Sequence, residues 1–310
     1  MSNKFILGGG ISGLIFKYFN PNYNIISPNI GGQLKKHKNI LMTFYIHNSL
    51  ETKELLNKLN IKYKEKRLRI YYYYKNKVYS EIDNNLRLKF IRNKMSEYDY
   101  DLNSLKIKNL DLSTGTNYLD ILDLDINKLI DKLSTDIIKA EVKLINNNRK
   151  FILIKEDNKL KKLNYDKLIS TIPAKAFFNI LYNYESNYKL RYLPATYILS
   201  KNKPHFVEED AIYYVLDDNL IYNRVQKYGE NYVYEITGIP IDEEIENNIS
   251  NIIDKEVRYI GLIRDESIDD FRNIKFLGRL AQWDSSIKIQ DIIKKAKKIK
   301  QIENEQKRTI

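Results

Sequence analysis

The stretch Gly8-Gly9-Gly10-Ile11-Ser12-Gly13 fits the spacing G-x-G-x-x-G. It follows an apolar run, Lys4–Leu7, read as a strand, and opens Ile11–Phe19, read as a helix. Asn20-Pro21-Asn22 stops that helix before a second strand, Tyr23–Ser27. In a strand, turn, helix, strand unit this spacing builds a dinucleotide site. Gly8 permits the tight turn, Gly10 lets the backbone approach a pyrophosphate, and Gly13 lets helix and strand pack closely. Ser12 lies in the first helical turn, where free N–H groups and the positive end of the helix dipole face the phosphates. The pattern also asks for an acidic residue roughly 20 positions on, to hold ribose. Ser27 stands at that place, and a hydroxyl binds ribose more weakly than a carboxylate.

Three later segments bear on which dinucleotide. They are Ile30-Gly31-Gly32-Gln33, the run Tyr165-Asp166-Lys167-Leu168-Ile169-Ser170-Thr171-Ile172-Pro173, and Phe276-Leu277-Gly278-Arg279-Leu280-Ala281-Gln282-Trp283. In this order they resemble the double glycine, the "YDxxIxTxP" strand and the "GRxAxW" element of the flavin amine oxidase, protoporphyrinogen oxidase and UDP-galactopyranose mutase superfamily. The resemblance implies noncovalent FAD, with Gly31, Gly32, Gln33, Thr171, Pro173, Gly278, Arg279 and Trp283 among its contacts. It also implies an α/β fold: a discontinuous Rossmann-like FAD-binding domain (1–45, 115–185 and 263–310) with an inserted α+β substrate domain (46–114 and 186–262).

Flavin carries the redox chemistry itself, so the chain need only position a substrate and tune the ring. The candidates for that work are Tyr222 and Arg224, His47 with Tyr45 before it, and Lys288. An arginine at 224 would clamp a phosphate or carboxylate. His47 reads more readily as a helix-entry or packing residue than as a catalyst. The leading expectation is a cytoplasmic oxidoreductase that moves hydride from a C–N or C–C bond of a small, possibly anionic molecule to FAD. Two alternatives stay open: a non-redox enzyme like UDP-galactopyranose mutase, and a viral flavoenzyme acting on a modified nucleotide or DNA base. A flavin-binding relic without activity is a fourth reading.

Composition narrows the field further. The 310 residues contain no cysteine, which removes disulfides, thiolate metal sites and thiol nucleophiles. Three scattered histidines suggest no metal cage. No apolar run approaches the roughly 20 residues that cross a bilayer, so no membrane partner is expected. The net charge of +12 is spread along a chain rich in Lys, Asn, Ile and Tyr. Nucleic acid is therefore a partner the charge permits without requiring.

Further elements must position these residues. Helices are expected over Leu50–Leu59, Leu86–Met95, Asn127–Leu133, Asp242–Ile253 and from about Ser286, the last fraying between Lys294 and Arg308. Strands are expected at Ile121–Leu124, Ile137–Ile145, Phe151–Lys155, Leu168–Ile172, Ala211–Leu216, Tyr232–Thr237 and Ile274–Leu277. Arg67–Tyr74 and Lys77–Ser80 form a hairpin turning at Lys75-Asn76, with two rings of Tyr71–Tyr74 on each face.

Overall fold

The computed structural model describes residues 3–36, 40, 45–83, 86, 117–185, 188–263, 266–271 and 273–308. The helix expected over Leu86–Met95 lies outside these, apart from Leu86 itself. Strand β1 (Lys4–Gly10) sends Ile6 into one apolar layer and Phe5 and Leu7 into another, all nearly or fully buried. Its run Phe5–Leu7 is apolar as a strand covered on both faces requires, and the one charge, Lys4 at its start, is paired with Glu303. Helix α1 (Ile11–Phe19) carries the chain back to β2 (Asn24–Gly31), which runs parallel to β1.

Short α2 (Gln33–Lys36) and α3 (Leu50–Lys58) follow, the latter capped by Ser49, whose Oγ accepts from Thr52 N at 3.2 Å. Strands β3 (Lys64–Tyr74) and β4 (Lys77–Tyr79) form the expected hairpin, with Lys75 and Asn76 both left-handed at its tip. Strand β5 (Tyr118–Asp123) lies against β3, and α4 (Ile126–Leu133) follows, capped by the Asp125 carboxylate. Then come β6 (Ile137–Ile138) and a three-stranded antiparallel meander of β7 (Glu141–Asn146), β8 (Phe151–Glu156) and β9 (Lys159–Asn164). Strand β10 (Lys167–Ser170) leads to α5 (Ala174–Ile180). Beyond lie β11 (Arg191–Ser200), β12 (Ile212–Val215), β13 (Arg224–Tyr228), β14 (Asn231–Thr237), α6 (Asp242–Asn248) and β15 (Ile252–Ile263). The chain closes with β16 (Ile274–Phe276) and α7 (Ile289–Arg308).

Two sheets organise the molecule. One has five strands in the order β16-β10-β1-β2-β6, every neighbouring pair parallel. Helices α1, α3, α4 and α7 cover one of its faces, and the meander with α5 covers the other. The second sheet has eight strands, ordered β15-β11-β14-β13-β12-β3-β4 with β5 beside β3. One face of it holds Ile198, Tyr213, Val225 and Tyr234 in an apolar core closed by Ile245 of α6. The architecture is thus mixed α/β with a parallel sheet.

Several expectations are corrected. The strand read over Ile137–Ile145 is two strands in different sheets, because the chain bends at buried Ala140, whose N–H bonds the Ile138 carbonyl. The helix read over Asp242–Ile253 stops at Asn248, and left-handed Asn251 turns the chain into β15. The last helix starts at Ile289 rather than Ser286, and the stretch expected to fray is anchored. Ile292, Ile293, Ala296 and Ile299 are buried in the core, and Glu303 is buried in a hydrogen-bonded ion cluster. Its carboxylate meets Lys4 Nζ at 2.6 Å and Lys167 Nζ at 3.0 Å, and accepts from Tyr23 OH at 2.7 Å.

Candidate functional site

Strands β1, β10 and β16 end side by side, and the turns that leave them meet over the start of α1. Thr171, just past β10, ties that meeting together. Its Oγ1 donates to the carbonyls of Leu7 at 2.8 Å and Gly8 at 3.0 Å. Gly8 has φ of 106°, and a Cβ there would lie 2.7 Å from Thr171 Oγ1. A Cβ on Gly13 would lie 2.1 Å from the Gly8 carbonyl oxygen, so helix and strand could not approach as they do with any side chain at 13. Gly278, with φ of 97°, is pressed against Ser12, to whose Oγ a Cβ would come within 2.3 Å. Gly32 backs onto Gly10, its hypothetical Cβ 3.0 Å from Gly10 Cα.

Gly10 differs from the rest. A Cβ there would meet nothing within 4 Å. Gly10 is also the N-cap of α1, and no side chain caps that helix. The first-turn N–H groups, which have no partner inside a helix, therefore face an open cradle at its positive end. Those features fit the diphosphate of a dinucleotide: donors, favourable dipole, and room where a side chain would intrude. Gly8, Gly10, Ser12, Gly13, Gly32, Thr171 and Gly278 meet there from four distant parts of the sequence. Gly31 is buried against Lys35, Gln33 opens α2, and Pro173 serves as N-cap of α5 beside the cradle.

Two residues expected to touch the cofactor have other employment. Ser27 is buried, and its hydroxyl donates to the Asn29 carbonyl at 2.7 Å, a local turn that uses the group meant for ribose. Trp283 is core: its ring is buried and its Nε1–H donates to the Arg191 carbonyl at 2.7 Å. It tethers the turn to β11. That turn is also not the first turn of the last helix, which begins only at Ile289; instead Gln282 N bonds Gly278 O and Asp284 N bonds Arg279 O.

The other face of the eight-stranded sheet carries the polar residues. Arg224 of β13 and Glu235 of β14 are register partners and form a half-buried to buried ion pair. Tyr45, Tyr197 and Tyr214 lie close enough to bear on the Arg224 charge, and Tyr45 OH donates to Gln226 Oε1. Burial pushes the Tyr45 phenol up to about 12, so it is a neutral donor at physiological pH. Arg279 reaches this group from the turn, within electrostatic range of Tyr197 and Glu235, and burial lowers its pKa. Lys288, the residue preceding α7, has its ammonium pushed down by burial and then by Arg279. His47 is held below the usual imidazole value by burial first and by Lys288 second. Arg224, His47, Lys288 and Arg279 are thus brought into one neighbourhood. Tyr222 does not join them. It is buried on the opposite face, its ring edge-on to Tyr234 at 4.9 Å.

No family model and no curated protein sequence matches the chain. Solved structures do match. A fatty acid isomerase from P. acnes superposes with a TM-score of 0.63 at 12% identity, over 96% of this chain and 97% of that one. A cyclohexylamine oxidase from Brevibacterium oxydans gives 0.62 at 10% identity, over 97% and 98%. A UDP-galactopyranose mutase in its reduced form gives 0.61 at 10% identity, over 94% and 93%. The likeness is one of fold. It falls on an amine oxidase and a UDP-galactopyranose mutase, from the group that the three sequence motifs resemble.

Sequence reasoning missed Tyr197, Gln226 and Tyr214. Tyr197 sits on β11, a strand hidden by Pro194 within it, since proline interrupts a ladder. A register shift between Leu193 and Pro194 absorbs that proline. Only the short apolar run Tyr197-Ile198-Leu199 hinted at it.

Proposed function

We propose that the chain is a flavoenzyme that holds FAD noncovalently in this cradle and oxidises a C–N or C–C bond of a small molecule. The observation that carries the reading is the opening above Gly10, framed by uncapped N–H groups of α1 and by Ser12, Thr171 and Gly278 from three separate motifs. The parallel sheet with its β1-α1-β2 crossover is then the Rossmann-like part. The eight-stranded sheet, built from β3, β4 and β5 and from β11 to β15, is the substrate part.

Bound there, FAD supplies the hydride acceptor. The chain's own work is positioning and proton handling. The α1 amides and Ser12 hold the diphosphate, and Thr171 fixes the turn that presents them. Arg279 and Lys288 keep positive charge next to the cradle, where negative charge is stabilised. His47, neutral at pH 7 because burial and Lys288 disfavour its cation, accepts a proton from the substrate head. Arg224 is neutralised by Glu235, and Arg258 by Glu256, so neither stands as a free clamp for a diphosphate substrate. That weighs against the mutase-like alternative.

The test is the visible absorption spectrum of the purified protein, with release and identification of any bound cofactor. Noncovalent FAD, lost on denaturation, is the expected result. A colourless protein that cannot be reconstituted with FAD would refute the proposal.

A further inference from the structure

The antiparallel meander β7-β8-β9 has two unlike faces. Ile145, Ile152 and Leu163 form one cross-strand row, and Val142 with Ile154 the next; all of them pack inward on the core beneath the parallel sheet. Alternation along the strands then turns Phe151, Leu153 and Lys155 of β8 outward. Their register partners Leu144 of β7 and Lys162 and Leu160 of β9 turn the same way. Leu144, Phe151 and Leu153 are half-buried and belong to none of the molecule's apolar cores. The outer face is therefore an apolar strip that contains a ring and is flanked by lysines.

Positive charge gathers on this unit. Residues 141–164 hold seven basic and three acidic side chains. Two of the acids are engaged within the meander, Glu141 with Lys143 and Glu156 with Lys161. Arg149, Lys150, Lys155 and Lys159 are exposed and have no acidic partner among the described residues. The basic helix α7 differs: Lys294 and Lys297 pair with Glu51 and Glu54, and Lys295 is turned onto the Phe276 carbonyl. Lysines on an edge strand guard it against pairing with other chains, which accounts for Lys159 and Lys161 of β9. It does not account for Lys155, which is on the central strand, or for Arg149 and Lys150, which are in a turn.

The ring sits among these charges. Lys162 Nζ lies 4.5 Å from the Phe151 centroid, and the exposed Asn164 is the register partner of Phe151 on the next strand. A π-face, cations and an amide on one open strand face are what single-stranded nucleic acid uses, for stacking, phosphate contact and base-edge hydrogen bonds. A bilayer surface asks instead for several apolar side chains that stand clear of the protein. On this face Leu160 alone does, at 69% exposed.

We propose that the outer face of the meander is a docking surface for single-stranded nucleic acid. A base takes the Phe151 ring in place of the Lys162 ammonium, and phosphates meet Arg149, Lys150, Lys155 and Lys162. Such docking needs no flavin in the cradle.

The experiment follows the fluorescence anisotropy of a labelled oligothymidylate of about 15 nucleotides as the purified full chain is added at several salt concentrations. Saturable binding is expected, with log affinity falling against log salt at a slope of about −3, since each neutralised phosphate contributes roughly −0.7. Replacing Lys150, Lys155 and Lys162 together by Gln should weaken binding more than about tenfold and bring the slope to about −1. Replacing the exposed Lys58, Lys298 and Lys300 by Gln removes the same charge elsewhere and should change affinity by less than about threefold. Phe151→Leu keeps an apolar side chain without a π-face and should weaken binding about fivefold, whereas Phe151→Tyr should not. The thermal denaturation midpoint checks that each variant is folded. No saturable binding, equal weakening by the two lysine triples, or an affinity indifferent to Phe151→Leu overturns the assignment. Binding to phosphatidylserine vesicles that the meander triple abolishes, with none to the oligothymidylate, would give the face to an anionic membrane and overturn it equally.

Discussion

Removing the Glu303 carboxylate tests whether the last helix is held as described. The side chain is 8% exposed and is contacted by Lys4, which is equally buried, by Tyr23 and by the half-exposed Lys167. Burial alone would push its carboxyl up, but the hydrogen bonds from Lys4, Tyr23 and Lys167 outweigh it and hold the pKa at about 2, against 4.5 ordinarily. That difference corresponds to about 3 kcal/mol of folding stability at neutral pH. Breaking a buried ion pair from one side gives a similar figure by an independent route, ~3–5 kcal/mol, because the partner charge is left uncompensated. Here that partner is Lys4, while Lys167 can turn to water. Glu303→Gln should therefore lower the unfolding free energy by about 3 kcal/mol at pH 7. A depressed carboxyl stabilises above its unfolded pKa and loses that stabilisation as pH falls through the folded one. The gap between native and variant should hold down to about pH 5, shrink as pH falls below 4.5, and close toward about pH 2. Urea denaturation followed by far-ultraviolet circular dichroism measures it at pH 7, 5 and 3.5. A difference below ~1 kcal/mol at pH 7, the size of an exposed ion pair, would refute the reasoning. So would one that does not change between pH 7 and 3.5.

Gly10→Ala and Gly13→Ala should part company. The first has open space and should leave the denaturation midpoint near that of the native chain while lowering FAD content; the second drives a methyl into the Gly8 carbonyl and should destabilise the fold itself. Equal behaviour of the two in a combined thermal and absorbance measurement would remove the cradle. Arg224→Leu alone should cost about 3–5 kcal/mol by leaving Glu235 buried without its partner, and adding Glu235→Leu should restore part of that; a double variant worse than the single would contradict it. The His47 imidazole, followed by NMR, should titrate below 6.5, move up in Lys288→Met and move down in Asp291→Asn. The rate of flavin reduction should correspondingly fall on the acid side of 6.5 and not above it.

Much of the cradle was legible because its chemistry is local. Six consecutive residues carry the turn, and the helix they open, Ile11–Phe19, was read with the observed bounds. The turn at Lys75-Asn76 was equally plain, since two left-handed residues favour few side chains. The polar face of the eight-stranded sheet was not legible, because it depends on which strands are neighbours. Arg224 and Glu235 meet only through the register of β13 on β14. Tyr222, two residues before Arg224, precedes the strand and packs on the other face. Beyond the helix expected to end at Ile253 no element was read where β15 runs, although its Arg258 is buried against Tyr197 with Glu256 beside it.

The order in which the parallel sheet is assembled also constrains how this chain is made. Strand β1 takes its second neighbour from residues 167–170, and that strand takes its own from residues 274–276, with α7 sealing the layer last. A chain emerging from a ribosome therefore holds β1 and β2 as an incomplete pair while β3, β4 and β5 are synthesised, and then holds β10 without β16 while β11 to β15 follow. Contacts of such sequence separation form slowly and leave strand edges open to other chains meanwhile. The cradle, begun first in the sequence, is completed last in time, so a nascent chain cannot close it until β16 and Gly278 have left the ribosome.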